Sequence, residues 1–401
     1  MGQSLWRFSI FGALLGAAGL PLYIHAPKYF VDTYGSSLAA LGVVLFVLRM
    51  LDVVQDPLLG RLVGKYRSHV RSLVVGGAGL MCLGMLGLFV VAAPIAPVVW
   101  FAVTLACVFT GFSLLTIVFY AQSADLFDGP SQVRVARWRE TGQLLGICLA
   151  ALAPTLLGLV MDAPFAGFAW LFVGLTLLGV GVMNPIWSAT WIAKQHVNLL
   201  ALVAILKPYL MLGFVNAAPV AITSTLFLFF VQYRLGAEPM AGPLLVVFFL
   251  SAAISAPIWT WCAARISDVA ILAFAMVLSL VCFVFAFYLG TGDVGYFAVI
   301  CVLTGFTTGA DMTLLPVIFT RFLQARDIAP DLSFGLWSFA SKMALAFAAI
   351  LVLPALEFSG FNPEAITAQG LNNLSVAYAI IPSALKLGAL YLLYKIGKNY
   401  A

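Results

Sequence analysis

The chain has 401 residues, of which 63% are hydrophobic and only 9% charged. Soluble domains carry about 25% charged residues, and a mean hydropathy of +1.09 leaves too little polar surface to coat one. The net charge of +5 is scattered through short segments, which excludes a nucleic-acid-binding surface and leaves an all-α polytopic membrane protein as the class that fits.

A membrane span takes about 20 mostly apolar residues. In chain order, twelve such runs are predicted, at 6–31, 37–63, 70–93, 97–124, 137–161, 166–191, 207–233, 240–264, 267–290, 294–321, 332–358 and 373–396. Lysine and arginine sort to one side of this series. Segments after the even-numbered runs carry Arg61, Lys65, Arg67, Arg71, Arg134, Arg137, Lys194, Lys207, Arg265, Arg321 and Arg326. The chain ends add Arg7, Lys395 and Lys398, against only Lys28 and Arg234 opposite. By the positive-inside rule both termini are expected in the cytoplasm, with a bacterial inner membrane as the expected location. Residues 1–35 lack a signal-cleavage pattern. The six cysteines fall in apolar runs without metal-ligand spacing. A nucleophile–base pair, a metal set and a phosphate loop are all missing, so neither enzymatic chemistry nor ATP-driven transport is expected, and no cofactor.

GRLVGKYR after run 2 has a weak counterpart in WTWCAARISD after run 8. Such similarity is what parallel six-helix repeats leave behind. The organisation expected is two pseudo-symmetric six-helix halves, 1–193 and 207–401, joined by a short cytoplasmic connection at 194–206, in a major facilitator fold.

Charges inside apolar runs are costly, roughly 2.5–3.5 kcal/mol each at mid-membrane on insertion scales, and usually face a cavity or a partner. LRMLDVVQDPLLG in run 2 puts Arg49, Asp52 and Asp56 on one helix face. Two carboxylates one turn apart repel each other, so they suit sharing a cation or a proton; a structural ion pair to Arg49 or Lys342 is the alternative. Arg139 and Glu140 in run 5 read either as functional or as marking the cytoplasmic end of that run. Asp311 and Lys342 lie in runs 10 and 11. Lys386 in run 12 reads as a lysine snorkelling from an outer helix. His25, between two prolines, reads as a binding residue or as a partner for broken backbone. Polar companions include Gln122, Gln143 and Asn216.

The stretch Arg49-x-x-Asp52-x-x-x-Asp56-Pro57 resembles helix II of the melibiose-permease-like glycoside–pentoside–hexuronide:cation symporters. SKMALAFAA, with Lys342, is similar to their helix XI, GADMTLLP around Asp311 to their helix X, and Arg139 stands where the family has a helix V arginine implicated in sugar binding. The resemblance implies a monomeric carrier using alternating access. Asp52 and Asp56 would bind Na⁺ or H⁺, Lys342 would pair with them in the ion's absence, and Arg49 would orient them. Substrate contacts are expected from Arg139, Gln143, Asp311, Trp138, Trp337, His25, Gln122 and Asn216. The acids that hold galactosyl hydroxyls on helices I and IV of this family fall here, by spacing, at Gly16 and Val118. The function expected is cation-coupled symport of a small polar solute, perhaps of sugar type; the alternatives are a carrier or exporter of an amphipathic or larger cargo and a non-transporting scaffold.

Overall fold

The computed structural model describes residues 5–187, 198–361 and 366–398. Residues 188–197, with Lys194 and the first four residues of the predicted 194–206 connection, lie outside them. Among the described residues there is no strand, and every predicted run is a helix or a helix pair. Run 1 is α1 (Trp6–Ala18) followed by α2 (Leu20–Tyr34), and runs 2 to 6 are α3 (Leu38–Lys65), α4 (Val70–Phe89), α5 (Pro97–Leu126), α6 (Gly129–Leu157) and α7 (Pro164–Trp187). Run 7 is α8 (Leu199–Phe229). α9 (Ala241–Ala263), α10 (Asp268–Phe287), α11 (Val294–Ala325) and α12 (Pro330–Phe358) follow, and run 12 is α13 (Ala368–Ser375) leading to α14 (Ile381–Lys398). Nine of the described helices are long and apolar enough to cross a membrane on their own.

Several boundaries differ from the hydropathy reading, and local chemistry accounts for them. Run 1 breaks at Gly19, and Pro21 opens α2 at a position where its missing N–H costs nothing. α6 and α8 each begin eight residues before the predicted run does: α6 because helix continues through its polar start where the backbone can bond internally, and α8 because residues 199–206 are themselves apolar and extend the run. Ser37 and Ser267 cap α3 and α10 by accepting from the N–H groups of Ala40 and Ala270. Wide turns with i→i+5 bonding close α8 at Phe230–Arg234 and join α13 to α14 at Val376–Ile380.

The chain divides into two compact units, 1–198 with 320–339, and 199–319 with 340–401. In the first, α1 runs along α6 with two facing small-residue stripes, Gly12-x-x-x-Gly16 and Gly142-x-x-x-Gly146. A Cβ at Gly142 would lie 2.1 Å from the Ser9 carbonyl oxygen, and one at Gly146 2.2 Å from that of Ala13. Backbones this close gain dispersion contacts that lipid cannot replace. Phe8 then stacks on Phe119 of α5, with Phe11 tilted against the same ring and meeting Trp187 of α7 edge-to-face. The second unit is built around Phe230, Phe297 and Tyr378, with Phe230 and Tyr378 stacked at 4.2 Å.

Gly146→Leu is therefore expected to force α1 from α6 and lower stability by at least the roughly 1–3 kcal/mol of an overpacked core. Gly174→Ala on α7, where nothing lies within 4 Å of an added Cβ, should be neutral or stabilising by up to about 1 kcal/mol. Thermal unfolding of the two variants in detergent measures both signs.

Candidate functional site

Asp52 and Asp56 lie near the middle of α3, one turn apart, 4% and 0% exposed. The Gln55 amide donates to Asp52 at 2.7 Å, while its carbonyl accepts from Thr110 of α5 at 3.1 Å. Ser338 of α12 donates to Asp56. The helices come this close because glycines face each other: a Cβ at Gly335 would sit 2.8 Å from the Asp56 carbonyl, and one at Gly60 2.9 Å from that of Asp331. Arg49 is half-buried on the same helix, and Lys342 half-buried on α12.

At the end of α3, Arg67 binds Asp331 through Nε at 2.6 Å and through a terminal nitrogen at 2.5 Å, and reaches Asp125 at 3.2 Å. The Gln324 side chain donates to the carbonyls of Ala124 and Phe127 at 2.7 Å, the last turn of α5. Nothing in the sequence pairs Arg67 with a residue 264 positions away.

Arg139 is 3% and Glu140 0% exposed, so neither merely marks the water-facing end of a span. Arg139 Nε donates to Glu140 at 2.7 Å, its Nη1 to the Ser123 hydroxyl at 2.7 Å, and its guanidinium lies 3.8 Å from the Tyr120 ring centre. Gln143 follows one turn along α6, and Gln122 of α5 is buried, donating to the Ile186 carbonyl. Trp138 is partly exposed, and its carbonyl takes the Ser9 hydroxyl at 2.5 Å. Trp337 is half-buried on α12.

Lys386 does not snorkel. It is 2% exposed, and its ammonium donates to Asp311 at 2.5 Å and to the Asn216 amide oxygen at 2.8 Å. The three residues come from α14, α11 and α8, which is why an outer-helix reading missed the pair. His25 Nε2 lies 3.1 and 3.2 Å from the carbonyls of Ala151 and Ala150. That is the backbone-satisfying geometry: Pro154, inside α6, has no N–H to offer the Ala150 carbonyl one turn before it.

The two positions where the resembled symporters carry sugar-binding acids have a physical account. A Cβ at Gly16 would lie 2.0 Å from the Gln143 carbonyl oxygen, so the α1–α6 contact leaves no room for any side chain. Val118 is 0% exposed in the core, where a carboxylate would need a partner.

A sequence profile of the family described as "MFS/sugar transport protein" matches residues 8–397. The chain belongs to this family. No curated protein matches the chain. Among solved structures, a bacterial homologue of the iron transporter ferroportin, in an outward-facing state, is similar with a TM-score of 0.72 and 14% identity, covering 99% of this chain and 100% of that one. The major facilitator superfamily transporter FucP in the outward conformation is similar with a TM-score of 0.65 and 14% identity, over 95% and 98% of the two chains. At this identity the likeness is one of fold. Fold and family together make the chain a membrane-embedded major facilitator carrier of a small molecule, and not an enzyme.

Breaking a buried ion pair from one side leaves an uncompensated charge and costs roughly 3–5 kcal/mol. Lys386→Met should lower stability by about that amount, and adding Asp311→Asn should recover a large part. A snorkelling lysine would show less than about 0.5 kcal/mol, as for ordinary surface positions. A double-mutant cycle on thermal unfolding in detergent separates the two.

Proposed function

We infer that this carrier is a cation-coupled symporter of a small polar solute, with Asp52 and Asp56 as the ion site. The supporting observation is the pair itself: two carboxylates, one turn apart at the middle of a transmembrane helix, 4% and 0% exposed. Buried like charges at that spacing are stabilised by a shared cation or by a proton on one of them. Carboxylate, amide and hydroxyl oxygens are also the ligand types that a hard cation such as Na⁺ prefers. Gln55 and Ser338 touch the pair directly and Thr110 touches Gln55, which puts amide and hydroxyl groups beside the carboxylates. The Lys/Arg sorting of the sequence supports cytoplasmic termini in a bacterial inner membrane; a reporter active only in the periplasm, fused after Ala401, should then stay silent.

One observation favours a second reading, a carrier of an amphipathic cargo. The second unit contains a cavity of ≈ 530 Å³, within the range of small-molecule sites. It is walled by Phe214, Ala218, Ala344, Ala348, Val352 and Ala377 among others, with Ser359 and Asn373 as its polar lining. Alanines at facing positions of α8, α12 and the wide turn leave the hollow unfilled.

Thermal stability of the purified protein decides between them. A coupling ion at a hundred times its Kd should stabilise by about 2.7 kcal/mol, and Asp52→Asn or Asp56→Asn should remove that gain while the protein stays folded. An ion response unchanged in both variants would refute the cation site. Stabilisation by an amphiphile in the absence of coupling ion, lost on Ala348→Phe, would favour the second reading.

A further inference from the structure

Glu140 is the most completely enclosed acid of the Arg139 cluster, and its two oxygens are treated unequally. Oε1 receives two donors, Arg139 Nε at 2.7 Å and the Tyr120 hydroxyl at 2.8 Å. Oε2 is buried and has no hydrogen-bond partner among the described residues. A carboxylate shares its charge over both oxygens and calls for donors on each. A carboxylic acid has one accepting oxygen and one that carries the proton. Two donors on Oε1 and none on Oε2 is the pattern of the acid.

A second observation points the same way. Gln143 stands at i+3 on α6, on the same face as Glu140, and its Oε1 is also buried without a partner. Two acceptors on this face of α6 lack a donor, and each such group is costly where no water reaches it. A proton on Glu140 Oε2 turns one of them into a donor.

We propose that Glu140 is a proton-binding site of this carrier, distinct from the aspartate pair, taking up a proton at Oε2 while Oε1 keeps the bond from Arg139. The step is a simple protonation: the carboxylate gains H⁺, and the cluster goes from neutral to one positive charge, held on Arg139. That charge then rests on neutral groups, Glu140 Oε1, the Ser123 hydroxyl and the Tyr120 ring, so protonation leaves Arg139 without a counter-ion and open to an electronegative partner such as a solute oxygen. The groups that set the affinity for the proton are few. Arg139 lies on the same helix and Tyr120 on α5, backed by Phe334 at 5.5 Å between ring centres. α7 carries no ionisable side chain and α1 only Arg7. α2 brings His25 to α6, at Ala150 and Ala151, about ten residues from Glu140. The proposal does not need Asp52 or Asp56, which lie on α3.

Infrared titration of the full-length protein in liposomes tests this with protons as the only ligand. The wild type should show a protonated-carboxyl band that titrates with pH and moves on transfer to D₂O. The measurement is made in the Asp52→Asn/Asp56→Asn background, which removes any band of the aspartate pair and any ion response: there the band should persist, and adding Glu140→Gln should abolish it. Tyr120→Phe takes one donor from the accepting oxygen, so the band should move to higher frequency; this covers the case in which Glu140→Gln does not fold. A band that survives in Glu140→Gln, or that is unmoved in Tyr120→Phe, would overturn the proposal and leave Glu140 as a permanently charged partner of Arg139.

Discussion

At membrane depth there is no water to complete a polar group, so each one must be completed by another part of the chain. This single constraint arranges the interior of both units. Charged side chains that stand isolated along apolar runs in the sequence, and Arg67 in the segment after run 2, are drawn into small sets. Arg139 is matched by Glu140, Ser123 and Tyr120, Lys386 by Asp311 and Asn216, and Arg67 by Asp331 and Asp125. In each set an arginine or lysine sits at the centre with acceptors from at least two helices. The sets therefore fix helix register as well as charge, because sliding one helix by a turn would leave a bare ion in hydrocarbon.

Apolar packing works against this requirement for separation of charge and toward closeness of backbone. The glycines of α1 and α6 bring two helix axes so near that no side chain fits at Gly16. That contact and the missing acid are one fact. A sugar-binding carboxylate on α1 would demand space, and the space has been spent on backbone approach. The strongest polar group near this contact is Arg139 on α6, and it is already engaged by Glu140 and Ser123.

Much of the fold was legible because hydropathy is a one-dimensional property that survives without partners. The helices formed where apolar runs were long enough, and the misses lay at their ends. Gly19 broke a run that hydropathy read as continuous, polar residues at the start of α6 were helical all the same, and α8 began with apolar residues 199–206 that lay before the predicted run. The site was less legible for a definite reason. A buried charge is recognisable in sequence, but its partner is not. Lys386 and Asn216 are 170 positions apart and Arg67 and Asp331 are 264 apart, so no spacing rule reaches either contact. Lys386 was misread as a snorkelling residue because the rule for outer helices is statistical, while its burial depends on one aspartate on α11. The facing glycine stripes of α1 and α6, by contrast, stood in the sequence at i and i+4 on both helices, a signal that was readable and was passed over.

Under the proposal that the aspartate pair binds an ion, Gln55 is the group that would respond to its arrival. Gln55 is a two-ended group: its amide nitrogen donates to Asp52 and its carbonyl accepts from Thr110. In this orientation the amide serves Asp52 as a substitute for positive charge. A cation between the carboxylates needs oxygens, not N–H groups, around it, so its arrival favours turning the amide over, which converts a competing donor into a ligand. The turn also takes the acceptor from Thr110, whose hydroxyl is then left to rotate toward another oxygen. A proton on Asp52 makes a smaller demand, since the acid can itself donate to the Gln55 carbonyl once the amide has turned. Ion and proton thus call for the same movement of one side chain, and differ in how many oxygens must gather afterwards: several for Na⁺, one for H⁺. The carboxylate, amide and hydroxyl groups of Asp52, Asp56, Gln55, Thr110 and Ser338 come from three helices, so gathering them pulls on α3, α5 and α12 together, and a proton does not.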